Sequence, residues 1–219
     1  MKKVLLSIGA GIGVLLVSCG RGEAVVRYPV GQGNSPAQTL RWTFDTDSLG
    51  ALPAAAVIFS GTWAVRAEAD APSPPKALCQ TGSADFPALS FGEAIYTDLV
   101  LSARFKPISG REDQAAGLIF RIQDKENYYI LRANALERNV NFYKYAAGRR
   151  IAIKGRSASV ASNQWQELRV EVRGDSMRGF LNGQLVVEAT DDTFKAGQIG
   201  LWTKADSVTC FDDVSVSAG

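Results

Sequence analysis

Glu167-Leu168-Arg169-Val170-Glu171-Val172-Arg173 alternates apolar and charged residues without a break. A period of two is that of a β-strand with one face buried and one wet, because successive side chains point to opposite faces. Downstream, Asn182-Gly183 separates Met177–Leu181 from Gln184–Ala189. Asn-Gly between two such runs is a strong hairpin signal, since both residues accept the positive φ of a tight turn. Gly174-Asp175 supplies a similar turn one strand earlier.

The same reading gives strands at Leu40–Phe44, Thr62–Ala67, Ala77–Gln80, Thr97–Lys106, Gly117–Gln123, Tyr128–Ala133 and Val140–Tyr145, then at Ile151–Lys154, Ile199–Thr203 and Val208–Val216. Short strands punctuated by Gly, Asn, Asp and Pro, with no long amphipathic helix between them, predict an all-β, antiparallel two-sheet sandwich. One such domain is expected over residues 39–219, with Asp70–Pro75 as a stiff surface loop inside it.

Composition excludes several chemistries. The 219 residues include no histidine, so no His-dependent nucleophile, His-ligated zinc or imidazole base operates here. The net charge of +2 comes from Lys2 and Lys3. Without them acids and bases balance, leaving no single-sign field for nucleic acid.

Those two lysines precede an apolar run, Val4–Val17, which ends in Leu16-Val17-Ser18-Cys19. The run has the length of a signal-peptide core and is short for a membrane-spanning helix. The sequence before Cys19 resembles a bacterial lipobox, with small residues at the cut and a thiol to take the lipid. The expectation is a signal peptide over residues 1–18, lipidation at Cys19 and a tether over residues 19–38. Gly20 at the second mature position implies, by resemblance to Gram-negative sorting, a lipid-anchored protein of the outer membrane in the cell envelope.

Gly61-Thr62-Trp63-Ala64-Val65, Ala116–Arg121, Gly200-Leu201-Trp202 and Phe211-Asp212-Asp213-Val214, in that order, resemble the concanavalin A-like lectin/glucanase superfamily, in its 3-keto-disaccharide hydrolase-like or laminin-G-like branch. The resemblance implies a jelly roll of two stacked sheets, one concave, with sugars lying across the concave face. Superfamily hydrolases carry Glu-x-Asp-x-x-Glu on one strand, and that spacing is absent. The branch's glutamate-bearing strand reads Tyr128-Tyr129-Ile130-Leu131-Arg132 here, without a carboxylate. No catalytic residue is therefore assigned, although Asp124, Glu126 and Glu137 lie in adjoining loops. Hydrolysis of modified disaccharides and a protein-binding scaffold stand as alternatives to carbohydrate binding.

Alternation proposes the binding face. If Leu118, Phe120, Tyr129, Leu131, Val140, Phe142, Ile199 and Leu201 point to the core, the opposite face carries Arg121, Tyr128, Arg132, Asn134, Asn141, Tyr143 and Trp202. Flat rings against sugar C–H faces and planar donors against hydroxyls are what a saccharide or glycan ligand needs. A solvated sheet face with cross-strand Arg–Tyr pairs has the same pattern. Phe44-Asp45 and Phe211-Asp212-Asp213 could hold calcium between the first and last strands; aspartates capping turns are favoured instead, and no metal or cofactor is assigned. An exported compartment permits a Cys79–Cys210 disulfide, with two separate buried thiols as the alternative.

Overall fold

The computed structural model describes residues 39–219; Cys19 and the expected signal peptide and tether lie outside the described residues. Every regular element among the described residues is a strand. The first sheet runs β13(Gln184–Thr190), β12(Ser176–Leu181), β11(Gln166–Arg173), β6(Leu99–Ser109), β15(Val208–Ala218), β4(Lys76–Gln80) and β3(Trp63–Ala67), with β1(Leu40–Trp42) also on β15. The second runs β10(Arg149–Ser157), β9(Asn139–Ala146), β8(Asn127–Asn134), β7(Ala115–Asp124), β14(Gly197–Trp202), β5(Ala88–Tyr96) and β2(Val57–Ser60). All pairings are antiparallel. The result is the expected two-sheet sandwich.

β11 behaves as its sequence reads. Leu168, Val170 and Val172 are buried while the charged residues between them are not fully so. Asn182 and Gly183 take φ of +50° and +78° at the hairpin. The two inner faces meet in one core containing Leu101, Phe105, Leu118, Phe120, Leu131 and Phe142. β2 and β5 went unread in the sequence. β2 is a four-residue edge strand, and β5 carries Gly92 at φ +77° within it, so neither shows a clean period.

Two ties brace the fold, one covalent within the first sheet and one polar among the loops at its end. Cys79 and Cys210 face each other on β4 and β15 and are bridged, 131 residues apart in sequence. The second tie is Arg121, and it corrects the alternation expected on β7. Arg121 sits at φ +49°, where the pairing with β8 shifts register between Phe120 and Asp124. Its side chain is 1% exposed and turns into the end of the sandwich, not onto the outer face. There Nε and Nη2 donate to Thr97 O (2.9 and 2.7 Å), Nη1 to Phe194 O (3.0 Å) and Nη2 to Gly174 O (2.7 Å). One guanidinium thus satisfies carbonyls of three separate loops, and Asp98 lies 3.6 Å away.

Reduction of the Cys79–Cys210 bridge should cost about 5 kcal/mol of stability in the chain-entropy account; an unchanged unfolding midpoint under reductant would refute that. Arg121→Ala removes four hydrogen bonds to the carbonyls of three loops, the Phe194 carbonyl being fully buried, and should cost about 3 kcal/mol or more. Denaturant unfolding checks it, and a loss below about 1 kcal/mol would contradict the role given to Arg121.

Candidate functional site

The second sheet buries both of its faces in the middle. β7 is buried from Ala115 to Ile122 and β8 from Tyr128 to Asn134. Behind the main core, Ile119, Ile122, Tyr128, Ile130, Tyr143 and Trp202 form a second apolar layer on the outer face, packed with Phe59, Phe86 and Tyr145.

Six of the seven residues read as a binding face lie together on that side. The register puts Gly117 opposite both Trp202 and Arg132, Arg132 opposite Asn141, and Asn141 opposite Gly155. The glycines make room. A Cβ on Gly117 would come within 3.1 Å of Trp202, and one on Gly155 would collide with the Asn141 amide. Arg121, the seventh, belongs to the loop ties described above.

The depth of these residues was not expected. Trp202 is 0% exposed, Arg132 1%, Tyr128 2% and Tyr143 8%. Trp202 is covered by Phe86, whose ring lies 5.8 Å away and 20° from parallel. Phe86 stands in the loop between β4 and β5, held by Ala205 N–H donating to Asp85 O (3.3 Å) and Thr203 N–H to Pro87 O (2.8 Å). The guanidinium of Arg150, from β10, lies 4.9 Å from the Phe86 ring centre and 4.7 Å from that of Tyr143. Phe59, Phe86 and Arg150 are the functional candidates that the sequence reading missed. Phe86 is a loop residue, Phe59 belongs to the unread β2, and Arg150 precedes the expected strand start at Ile151.

Beyond Arg150 the face becomes polar. Arg132 binds Glu137 through both Nη atoms (3.2 and 2.6 Å) and donates to Asn139 Oδ1 (2.7 Å). Asn134 accepts the backbone N–H of Leu136 and Glu137 (2.9 and 3.2 Å), fixing the hairpin that presents Glu137. Its amide donates to Asp113, which also pairs with Lys204. With its oxygen toward Arg132, the Asn141 amide accepts from Tyr143 Oη (2.9 Å) and Arg132 Nη2 (3.2 Å). Burial pushes the Glu137 carboxyl up, but the hydrogen bonds from Arg132 and Asn139 and the Arg132 charge outweigh it and hold it at about 2. Burial, with Tyr145 adding to it, pushes the Tyr128 phenol well above its ordinary value.

At the other end a cleft of about 400 Å³ opens between Phe59 and Phe86, over Tyr128 and Tyr145, with Asp85 and Glu126 on its rim. Tyr128 and Tyr145 stack at 5.1 Å, and Phe86 meets Tyr145 edge-on at 5.6 Å. A cleft of about 380 Å³ by Ile153, Lys154 and Glu188 has no aromatic ring in its walls.

On the far sheet, the Phe-Asp pairs do converge, since β1 pairs with β15. Lys76 Nζ donates to the main-chain oxygens of Asp45 and Asp47 (2.8 and 2.7 Å), placing an ammonium where these loop carbonyls meet. Asp212 is fully buried, accepting from Ser73 N–H (2.7 Å), and burial pushes its carboxyl up to about 6. Among the described residues no group of three or more acids or cysteines is arranged to hold a metal.

Known proteins share this architecture. The carbohydrate-binding module CBM66 from Bacillus subtilis superposes with a TM-score of 0.64 at 25% identity, over 75% of this chain and 96% of that one. Domain 4 of a GH43 extracellular arabinanase from Geobacillus stearothermophilus, solved with arabinotriose, shares the fold with a TM-score of 0.54 at 14% identity, over 82% and 91% of the two chains. A levanase of Bacillus subtilis (strain 168) is 26% identical over 159 residues, 71% of this chain. The chain spans 22% of that relative's length. Residues 81–217 match the model of the 3-keto-alpha-glucoside-1,2-lyase-like domain. That match spans more than half of the sequence, and the chain belongs to this family.

Proposed function

We propose that the chain is a saccharide-binding module of the cell envelope that acts by holding its ligand, not by cleaving it. The ligand lies in the cleft between Phe59 and Phe86, and a lipid on Cys19 anchors the module to the outer membrane. The carrying observation is the aromatic cleft, continuous across one sheet face with the Arg132–Glu137–Asn139 network. Rings stacked on sugar C–H faces contribute about 0.5–1.5 kcal/mol each beyond burial, and the polar end offers donors and acceptors to hydroxyls. Such sums give affinities of roughly micromolar to millimolar after association costs. The carbohydrate-binding module among the similar structures supports this reading.

Cleavage of a glycoside usually needs one carboxyl that is protonated near neutral pH and a second to act with it. Glu137, held at about 2, has no proton to give at neutral pH. Asp113 is tied to Lys204 and Asn134. The family description favours a second reading, bond cleavage in a keto-glucoside. Incubation of the module with 3-keto-glucosides separates the two, since turnover abolished by Glu137→Gln would establish the second reading.

A glycan array followed by calorimetry on the glycans retained tests the first. Phe86→Ala and Tyr145→Ala should each weaken binding about tenfold, which is ~1.4 kcal/mol; unchanged affinity in both would place the ligand elsewhere. A lowered carboxyl holds its ion pair above the ordinary carboxylate range and loses it as pH falls through the folded value. Binding should therefore be level from pH 5 to 8 and decline only below about pH 3, toward the value near 2 of Glu137. Decline already at pH 5 would contradict the part given to the Arg132–Glu137 pair. For the anchor, Cys19→Ala should move the protein from the membrane fraction to the soluble one and abolish palmitate labelling. Membrane retention of that variant, with no label on the wild type, would overturn it.

A further inference from the structure

Buried polar atoms almost always have hydrogen-bond partners, so a cluster of orphans needs a reason. Among the described residues, five buried side-chain atoms have no partner, and three of them share the outer face of the second sheet. They are Arg150 Nη1, Arg132 Nε and Trp202 Nε1, the last directed toward the Tyr128 hydroxyl without completing a hydrogen bond to it. All three are donors.

Their surroundings are consistent in chemistry. Arg150 lies against Phe86, Tyr143 and Trp202, at 4.9, 4.7 and 5.9 Å from the ring centres. Arg132 lies against the same Tyr143 ring at 5.3 Å. Of the acids around this face, Glu137 is engaged by Arg132 and Asp113 by Lys204, while Asp85 and Glu126 stand at the cleft and neither pairs with Arg150. Unlike Arg132 and Lys204, Arg150 has neither an ion pair nor a side-chain hydrogen bond among the described residues. Ring faces attract a guanidinium but accept none of its N–H bonds in the plane. A sugar hydroxyl would bring a hydrogen that needs its own acceptor. A carboxylate or sulfate brings acceptors only, in the planar or trigonal array that a guanidinium matches with two parallel bonds.

We propose that the saccharide taken by this face is an acidic one, whose carboxylate or sulfate group seats against Arg150 beside the ring of Tyr143. The inference rests on the saccharide-binding reading and names its ligand class. Arg150 would then be the specificity-determining residue, with the Phe86 cleft holding the adjoining sugar.

The test uses the mature protein on an array carrying matched glycans: neutral, uronate-bearing, the same uronates as methyl esters, and sulfated. The expected result is retention of the uronate or sulfated members at least tenfold above their neutral or esterified counterparts, the two acid classes being told apart by which spots are kept. Arg150→Gln should erase that preference at least tenfold, and Arg150→Lys should keep part of it, with unfolding midpoints confirming that both variants fold. Should Arg150→Gln fail to fold, the Arg150→Lys variant and the loss of acid preference in 0.5 M salt carry the test (about half a nanometre of screening length at that strength). Neutral or esterified glycans binding as well as acidic ones would overturn this inference and leave the saccharide reading intact. An acid preference that survives Arg150→Gln would overturn it too. Binding to no glycan at all would overturn both.

Discussion

The second sheet has to bury both of its faces, and most of what is distinctive about this protein follows from that. One face closes the sandwich core in the ordinary way. The other carries Trp202, Tyr128, Tyr143, Arg132 and Asn134, which are large, partly polar and almost wholly out of water. Buried polar groups cost free energy unless they find partners, and sheet neighbours alone supply too few. The partners come from the connections. The hairpin after β8 brings Glu137, the segment before β7 brings Asp113, and the loop before β5 lays Phe86 over Trp202.

That arrangement explains why the face is a stiff support with a shallow opening. Phe86 is pinned by backbone hydrogen bonds on both sides, so it is a wall and not a flap. Tyr128 and Tyr145 stack beneath it, and the ionic groups farther along are locked in pairs. Little ordering remains to be done when a ligand arrives, which favours binding. Chemistry would require a carboxyl free to exchange a proton near neutral pH. The Arg132–Glu137 pair works against it, because the same bonds that satisfy the buried guanidinium keep the carboxyl ionised.

Much of this was legible in the sequence, and the gaps have physical causes. Alternation in Glu167–Arg173 and the Asn182-Gly183 turn were enough for an antiparallel sandwich. Alternation also put Tyr128, Arg132, Asn134, Asn141, Tyr143 and Trp202 on one side, because β8, β9 and β14 keep an unbroken period through those residues. Arg121 went astray because a positive φ resets the period at that position, and no residue type announces it. The depth of the face was beyond reach of a strand pattern, since Phe86, Glu137 and Asp113 come from outside the strands that they cover. β5 was missed for a related reason, as burial on both faces at its start and Gly92 in its middle erase the alternation.

The reading proposed above has saccharide bind on the outer face of the second sheet. A crystal of residues 39–219 soaked with a glycan retained on the array tests it most directly. Sugar density is expected against the rings of Phe86 and Tyr145, extending toward Arg150. Density on the outer face of the first sheet, for instance beside Trp165, with the Phe86 cleft unoccupied, would contradict it.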